Sequence, residues 1–321
     1  MTERVLCIGA GLRPDVRLTA IARELAGPEG AVAAVTVPSD DTDPSRLPVE
    51  RIYSATTSGV DVARGDHVGA VVAAATRAFG ATVVISGPVK VNREGLARAG
   101  ALLGGPVLTG VRSPRVTAEG VEVSRDLLSG NATAIEHTST RPVFLSMAED
   151  IDTPTGPQGV TSGAMPETIP LSVELPAYHF RTLSLQPKPA RSVDLETAER
   201  IVSVGRGLQR KADLPLVENL AVALGAVVGC TRPIAADSGW LSDDHWVGLT
   251  GHRVRPSLYV AVGISGAAQH LVGMRGSKIV VAINKDPNAP IFQQADYQVV
   301  GDLYAILPEL TRALLAAKLS S

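Results

Sequence analysis

The chain has 321 residues, a formal net charge of −2 and 45% apolar residues. That length argues for two domains, each with its own core. The near-neutral charge and an aromatic share of only 3% exclude a strongly basic nucleic-acid binder and a base-stacking platform. No stretch approaches the ~18 uninterrupted apolar residues of a membrane span.

Met1-Thr2-Glu3-Arg4-Val5-Leu6 runs straight into a strand, without the apolar run of a signal peptide, so a cytoplasmic chain is expected. The first half then alternates strand and helix signals. Val5–Ile8 is apolar, Arg17–Leu25 has helical spacing, and Ala31–Val37 is apolar again. Val68–Phe79 reads as a helix, Val83–Ile85 as a strand ended by Ser86-Gly87-Pro88, and Asn92–Leu103 as a helix closed by Gly104-Gly105. Such alternation predicts a mostly parallel sheet covered on both faces.

From about Val107 to Met147 the pattern changes. Gly110–Val116, Val121–Arg125, Thr133–His137 and Val143–Ser146 are short runs between turn residues, which predicts an antiparallel patch on the parallel core. Residues 148–170 carry four Pro and three Gly with little periodicity and read as a linker arm. Leu171–Leu185 is expected to add a last strand. The domain boundary is set at 190/191.

The second unit begins with a short helix over Leu195–Arg200 and a strand over Ile201–Val204 ending at Gly205-Arg206-Gly207. A helix over Leu214–Leu224 and a strand over Ala226–Val228 follow. Further strands are Leu258–Val262, Lys278–Ile283 and Tyr297–Val300, and a helix over Leu303–Lys318 closes the chain. Five strands thus end in Gly, Asn or Asp, and in open parallel sheets ligands bind at the carboxyl ends of strands. There is no internal repeat.

The two cysteines, Cys7 and Cys230, lie in apolar strand-like stretches, where a free thiol packs as a small hydrophobe. No Cys or His spacing suggests zinc, and there is neither a nucleophile elbow nor a Walker loop. Gly9-Ala10-Gly11 follows the first strand like the start of a dinucleotide fingerprint, but position 14 is Pro where the third glycine belongs.

The most informative stretch runs from Leu258 to His270. Ser265 stands as an N-cap, and the N–H groups of Gly266, Ala267 and Ala268 would face outward at the positive end of a helix. This is the architecture of a phosphate site, and equally that of an ordinary capped turn. Gln269 and His270 fall in the first helical turn, where a histidine can carry positive charge near neutral pH. Arg232 follows another strand end, as an anion contact or a plain surface residue. Val247-Gly-Leu-Thr-Gly251 offers a tight loop with a hydroxyl. On these residues alone, the C-terminal part of a two-domain α/β protein binds a phosphate-bearing cofactor.

The segment Tyr259-Val-Ala-Val-Gly-Ile-Ser-Gly-Ala-Ala-Gln-His-Leu-Val-Gly-Met274 resembles the α subunit of electron-transfer flavoproteins. The resemblance continues through Ser277–Phe292, Ala295-Asp296-Tyr297 and Val300-Gly-Asp302, with Val202–Leu208 and Val247–Gly251 upstream. Arg125–Ala134 and Thr140–Phe144 match more loosely. The resemblance implies two domains: a nucleotide-hydrolase-like α/β fold that binds no nucleotide and packs on a β subunit, and a Rossmann-like parallel sheet that binds FAD. It implies AMP or a second FAD in the β subunit, flavin dehydrogenases as donors, and a quinone reductase or another acceptor.

It also implies roles. Arg206 contacts the FAD phosphate or ribose, and Thr231 and Arg232 lie against the flavin. Val247, Gly248, Leu249 and Thr250 line the ring, with Thr250 near N5. Ser265, Gly266, Ala267, Ala268, Gln269 and His270 hold the pyrophosphate, with His270 reaching the ring's O2. Asn284, Asp302 and Leu303 hold the adenosine end. Arg232, Thr250 and His270 would tune the flavin, since reduction places negative charge on the ring. The chain departs from the family pattern at Leu249 (usually Gln), His252 (usually Lys) and Thr231 (usually Ser). The expected function is an electron carrier. A bifurcating complex and a stand-alone nucleotide-binding enzyme using the Gly9 turn are the alternatives.

Overall fold

The computed structural model describes residues 2–12, 16–37, 47–130, 132–148, 151, 165–177, 183–184 and 193–319. They form two compact units, Met1–Leu183 and Ser184–Ser321.

In the first unit β1 (Arg4–Ile8) pairs in parallel with β2 (Ala31–Thr36) on one side and β4 (Val83–Ser86) on the other. β3 (Arg51–Ala55) extends the sheet beyond β2, and β8 (Val143–Met147) extends it beyond β4, both in parallel. Alternation along β1 explains the two-sided core, because successive side chains of a strand point to opposite faces. Val5 and Cys7 pack with α1 (Val16–Ala26) through Leu18, Ile21 and Leu25. Leu6 and Ile8 pack with α2 (Gly65–Phe79) and α3 (Lys90–Leu103) through Val68, Val71, Val72 and Leu96.

The expected antiparallel patch is present in part. β5 (Val107–Thr117), β6 (Gly120–Leu127) and β7 (Ala132–Thr138) pair antiparallel in sequence. β8, however, joins β4 and β5 in parallel, filling the place between them that the β4–α3–β5 crossover leaves. Two strands differ from expectation. Polar-flanked β3 carries no long apolar run. β9 (Glu167–Leu171), assigned to the linker arm and placed too late at Leu171–Leu185, is an edge strand parallel to β3. The rest of the arm lies largely outside the described residues.

The Gly9-Ala10-Gly11 turn is closed from within. Asn92 is fully buried, and its Nδ2 donates to Gly9 O at 3.0 Å, Ser86 Oγ at 3.0 Å and Ile8 O at 3.4 Å. A side-chain carboxamide stands at the strand end where a dinucleotide fold would present backbone to phosphate.

The second unit is a five-stranded parallel sheet in the order β11-β10-β12-β13-β14, with β10 Arg200–Val204, β11 Val227–Cys230, β12 Leu258–Val262, β13 Val280–Asn284 and β14 Tyr297–Val300. α4 (Leu214–Leu224) and α6 (Leu303–Leu319) cover one face through Val217, Leu220, Leu303 and Leu307. α5 (Ala268–Met274) helps cover the other through Leu271 and Met274, packed with Tyr259, Ile201 and Ala282. The expected helix over Leu195–Arg200 does not form. Asp194 Oδ1 accepts from the N–H of Glu196 at 3.1 Å and of Thr197 at 3.4 Å, a local turn that competes with helix. From β10 the chain goes to β11 on one side and to β12 on the other, so the strand order reverses between β10 and β12. That reversal is the switch point where open parallel sheets leave a crevice.

Candidate functional site

The crevice is held open by glycines. A Cβ on Gly207 would lie 2.5 Å from Gly263 Cα, and one on Gly263 would lie 2.7 Å from Gly207 Cα. Gly263 also has φ +59°, a region L side chains rarely adopt. The two turns are tied by Gly207 N–H donating to Gly263 O at 2.9 Å. Between and around them lies a cleft of about 600 Å³ walled by the carboxyl ends of β10, β11, β12 and β13.

The wall after β12 differs from the expected cap. α5 starts at Ala268 with Ala267 as its cap residue and no side-chain cap, so Ser265 is not the N-cap. Gly266 takes φ +89°, and the Ser265 carbonyl accepts from Ile291 N–H at 3.1 Å, which delays the helix. The N–H groups of Gly266, Ala267, Ala268 and Gln269 make no hydrogen bond with any described residue. Ser265, Ala267, Gln269 and His270 line the cleft, whereas Gly266 and Ala268 do not.

Beyond β11, Thr231 lines the cleft with its Oγ1 buried and without a hydrogen-bond partner. Arg232 is exposed there, its guanidinium carbon 5.7 Å from the Trp246 ring centre, within cation–π range. The next wall is the loop Val247, Gly248, Leu249 and Thr250. It is fastened at several points. Val247 N–H donates to Cys230 O at 2.9 Å, Leu249 N–H to Gln269 O at 2.7 Å and Gly248 N–H to His252 O at 3.1 Å. Arg206 after β10 and Asn284 at the end of β13 complete the set of expected residues that the cleft brings together.

Two expected contacts do not reach it. Asp302 spends its Oδ1 on Tyr304 N–H at 3.0 Å, capping α6, and Leu303 is buried in the core beneath. Asn284 is held in place by donating Nδ2 to Ile264 O at 2.8 Å and accepting Asp286 N–H at 3.0 Å. His252 does not line the cleft, and its Nδ1 meets Glu196 Oε1 at 2.9 Å.

His270 also differs from the sequence reading. It is buried, with Nδ1 3.0 Å from Val247 O and Nε2 3.0 Å from the Tyr259 hydroxyl. Burial holds it neutral, with its pKa lowered to about 4. A cation near neutral pH is therefore not available from this side chain. Cys230 is equally unreactive, as burial pushes its thiol up to about 12.

Sequence reasoning missed Gln209, Trp246 and Lys285 in the wall. Lys285 directly follows a strand end and Trp246 directly precedes the Val-Gly-Leu-Thr-Gly loop, so position alone could have flagged both. Tyr259, inside β12, gave no such signal.

The cleft's chemistry is legible. Arg206, Arg232 and Lys285 are exposed on its wall, no acidic residue lines it, and open N–H groups stand at one side. This favours a diphosphate. Trp246, Val247, Leu249 and the neutral His270 offer an apolar wall for a flat ring. The orphaned Thr231 Oγ1 awaits a polar partner, since buried polar atoms are seldom left unpaired. These residues fit FAD.

Among the described residues no group of His, Cys, Asp or Glu is arranged to hold a metal, and no helix is long and apolar enough to cross a membrane.

Comparison with known proteins agrees with this chemistry. Residues 13–170 match the electron transfer flavoprotein domain, and residues 194–275 match the electron transfer flavoprotein FAD-binding domain. Protein FixB of Escherichia coli O9:H4 (strain HS) and of Escherichia coli (strain K12 / DH10B) are each 46% identical over 148 residues. That is 46% of this chain, and the chain spans 47% of the length of either relative. The crystal structure of Acinetobacter baumannii MurG aligns over 98% of this chain and 90% of its own at 13% identity with a TM-score of 0.30, a likeness too weak to argue from. The two domain matches together cover most of the chain, and it belongs to the electron transfer flavoprotein α-subunit family.

Proposed function

We propose that the chain binds one FAD in the switch-point cleft of its C-terminal unit and carries electrons as the α subunit of a heterodimer. The observation that supports this most is the convergence of four strand ends, three of them within the FAD-binding domain match, on a cationic cleft. In this reading Arg206, Lys285 and the open N–H groups of Ala267 and Gln269 hold the diphosphate. Trp246, Val247, Leu249 and Thr250 pack on the ring. Thr231 supplies a hydrogen bond, and Arg232 supplies the positive charge that a reduced ring requires. Bound there, FAD would supply reversible one- and two-electron chemistry. Leu249 cannot hydrogen-bond through its side chain, so its contribution is apolar.

The protein is then a carrier with no substrate of its own, working in the cytoplasm. A β subunit, carrying AMP or a second FAD, packs on the N-terminal unit. Flavin dehydrogenases deliver electrons and a quinone reductase or another acceptor takes them. Co-expression of the chain with its β partner tests the reading. A yellow heterodimer with one FAD assigned to this chain is expected. A heterodimer that holds no FAD and cannot be reconstituted would overturn it.

A further inference from the structure

Beneath the cleft lies a buried polar contact that the flavin reading does not use. The Tyr259 side chain on β12 is fully buried, and its hydroxyl is 3.0 Å from His270 Nε2 on α5. The other ring nitrogen, Nδ1, is 3.0 Å from the carbonyl of Val247. A carbonyl oxygen only accepts, so Nδ1 must carry the hydrogen. With Nδ1 carrying the hydrogen and the ring neutral, Nε2 only accepts, so the Tyr259 hydroxyl donates to it. Ser203 Oγ on β10 also lies beside the phenol, where it is left the role of donor to the phenol oxygen. The phenol thus donates to a neutral imidazole, and the imidazole donates to the loop.

We infer that Tyr259 is a positioning residue for the cleft: by donating to Nε2 its hydroxyl holds His270 in the neutral Nδ1–H tautomer that the Val247 carbonyl selects, and that N–H fastens the Val247–Thr250 wall. The consequence for cofactor affinity rests on the flavin reading, whereas the tautomer does not. Val247 is also held by its own N–H to Cys230 O and by its buried side chain, and the loop it begins carries both Leu249 and Thr250 into the cleft. Losing the phenol leaves Nε2 as a buried acceptor without a donor. The imidazole then gains by turning, switching tautomer or taking up a proton, and each of these loosens Nδ1 from the loop. The charged and titratable groups around the pair are Cys230 at the end of β11, His252 with its Glu196 partner, and Arg206, Arg232 and Lys285 on the cleft wall. Burial raises the phenol's pKa, so it stays a donor throughout the working range.

The test uses the full-length chain, first free of flavin and then titrated with FAD. Nitrogen-15 spectra of the histidine rings, with His270→Asn to assign the signal, report tautomer and protonation directly. In the wild-type chain His270 is expected as the Nδ1–H tautomer with no titration from pH 8 down to about 5.5, well above its lowered pKa. In Tyr259→Phe the same signal is expected to titrate or change tautomer within that range. FAD affinity should then fall by roughly tenfold, about one decade of Kd, at unchanged stoichiometry. An Nε2–H tautomer or a charged ring in the wild-type chain at neutral pH would overturn the inference. So would a Tyr259→Phe variant with unaltered His270 signals and unaltered FAD affinity. The wild-type spectrum decides even where the variant folds poorly, and it is read without flavin, so it stands or falls apart from the flavin reading.

Discussion

The two units pose the same problem at the ends of their strands and solve it oppositely. In the N-terminal unit the turn after β1 has glycines at 9 and 11, yet the Asn92 carboxamide fills the strand end and binds Gly9 O, Ile8 O and Ser86 Oγ. In the C-terminal unit the turn after β10 has glycines at 205 and 207, and what meets Gly207 is Gly263, another glycine, while Gly205 lies against the Gly263 carbonyl and Ile264. One crevice is sealed by a side chain, and the other is kept open because Gly207 and Gly263 present none to each other. A Gly-x-Gly turn therefore does not make a ligand site. What the facing element brings to it decides.

The largest expected effect comes from closing the open crevice. Gly207→Val would set a branched side chain where a Cβ already lies 2.5 Å from Gly263 Cα. Overpacking of this kind costs about 3 kcal/mol, which is on the order of a hundredfold in FAD affinity. Flavin titration beside far-UV circular dichroism measures it, and unchanged affinity would show that the cofactor sits elsewhere.

Acid should separate the two units next. The folded-state pKa of His270 is about 4, below its usual value of 6.5. The neutral form is favoured by folding, so this stabilisation is complete above about pH 6.5 and is lost as pH falls toward 4. The total is about 3 kcal/mol, to order of magnitude. In the N-terminal unit Arg64 holds the Asp66 carboxyl down at about 2 against a usual 3.8, so its loss begins only below about pH 4. Both tryptophans, Trp240 and Trp246, lie in the C-terminal unit, so their fluorescence follows that unit alone. Urea midpoints by fluorescence should fall between pH 6.5 and 4 and level off in His270→Asn.

Opening the sealed crevice has a smaller effect. Asn92→Ala removes three buried hydrogen bonds, while Gly9 O keeps Leu12 N–H and Ile8 O keeps Gly87 N–H, destabilising the N-terminal unit by about 2 kcal/mol. The circular dichroism transition should shift and FAD affinity should not. New nucleotide binding in this variant would mean that Asn92 alone kept the site shut.

Much of this contrast was readable from residues, and the remainder shows where reading stops. The strand ends Gly205, Gly263 and Asn284 were legible because apolar β-branched runs stop at residues suited to turns. β9 was not, since Pro166 and Pro170 flank and enter it, and its pairing with β3 is made far along the chain. Asp302 and Leu303 were placed at the cofactor, but one caps α6 and the other fills the core, a choice set by how the helix packs. The charge of His270 depended on Tyr259 and on burial, neither visible in the spacing of the motif.

The smallest effect concerns Arg232. It is exposed, so solvent screens it. Arg232→Ala should lower the flavin potential by roughly 50 mV, about 1 kcal/mol for one electron. Arg232→Lys should recover part of the shift by keeping the charge. Redox titration showing neither change would remove Arg232 from the flavin's surroundings.

The central claim, one crevice open and one sealed, is tested most directly by mapping backbone amide shifts of the deuterated full-length chain as FAD is added. The account predicts perturbations at Gly205–Gln209, Thr231–Arg232, Trp246–Thr250, Gly263–His270 and Asn284–Lys285, and none at Gly9–Leu12 or Ser86–Asn92. Shifts concentrated around Gly9 and Asn92, or no shifts at saturating FAD, would contradict it.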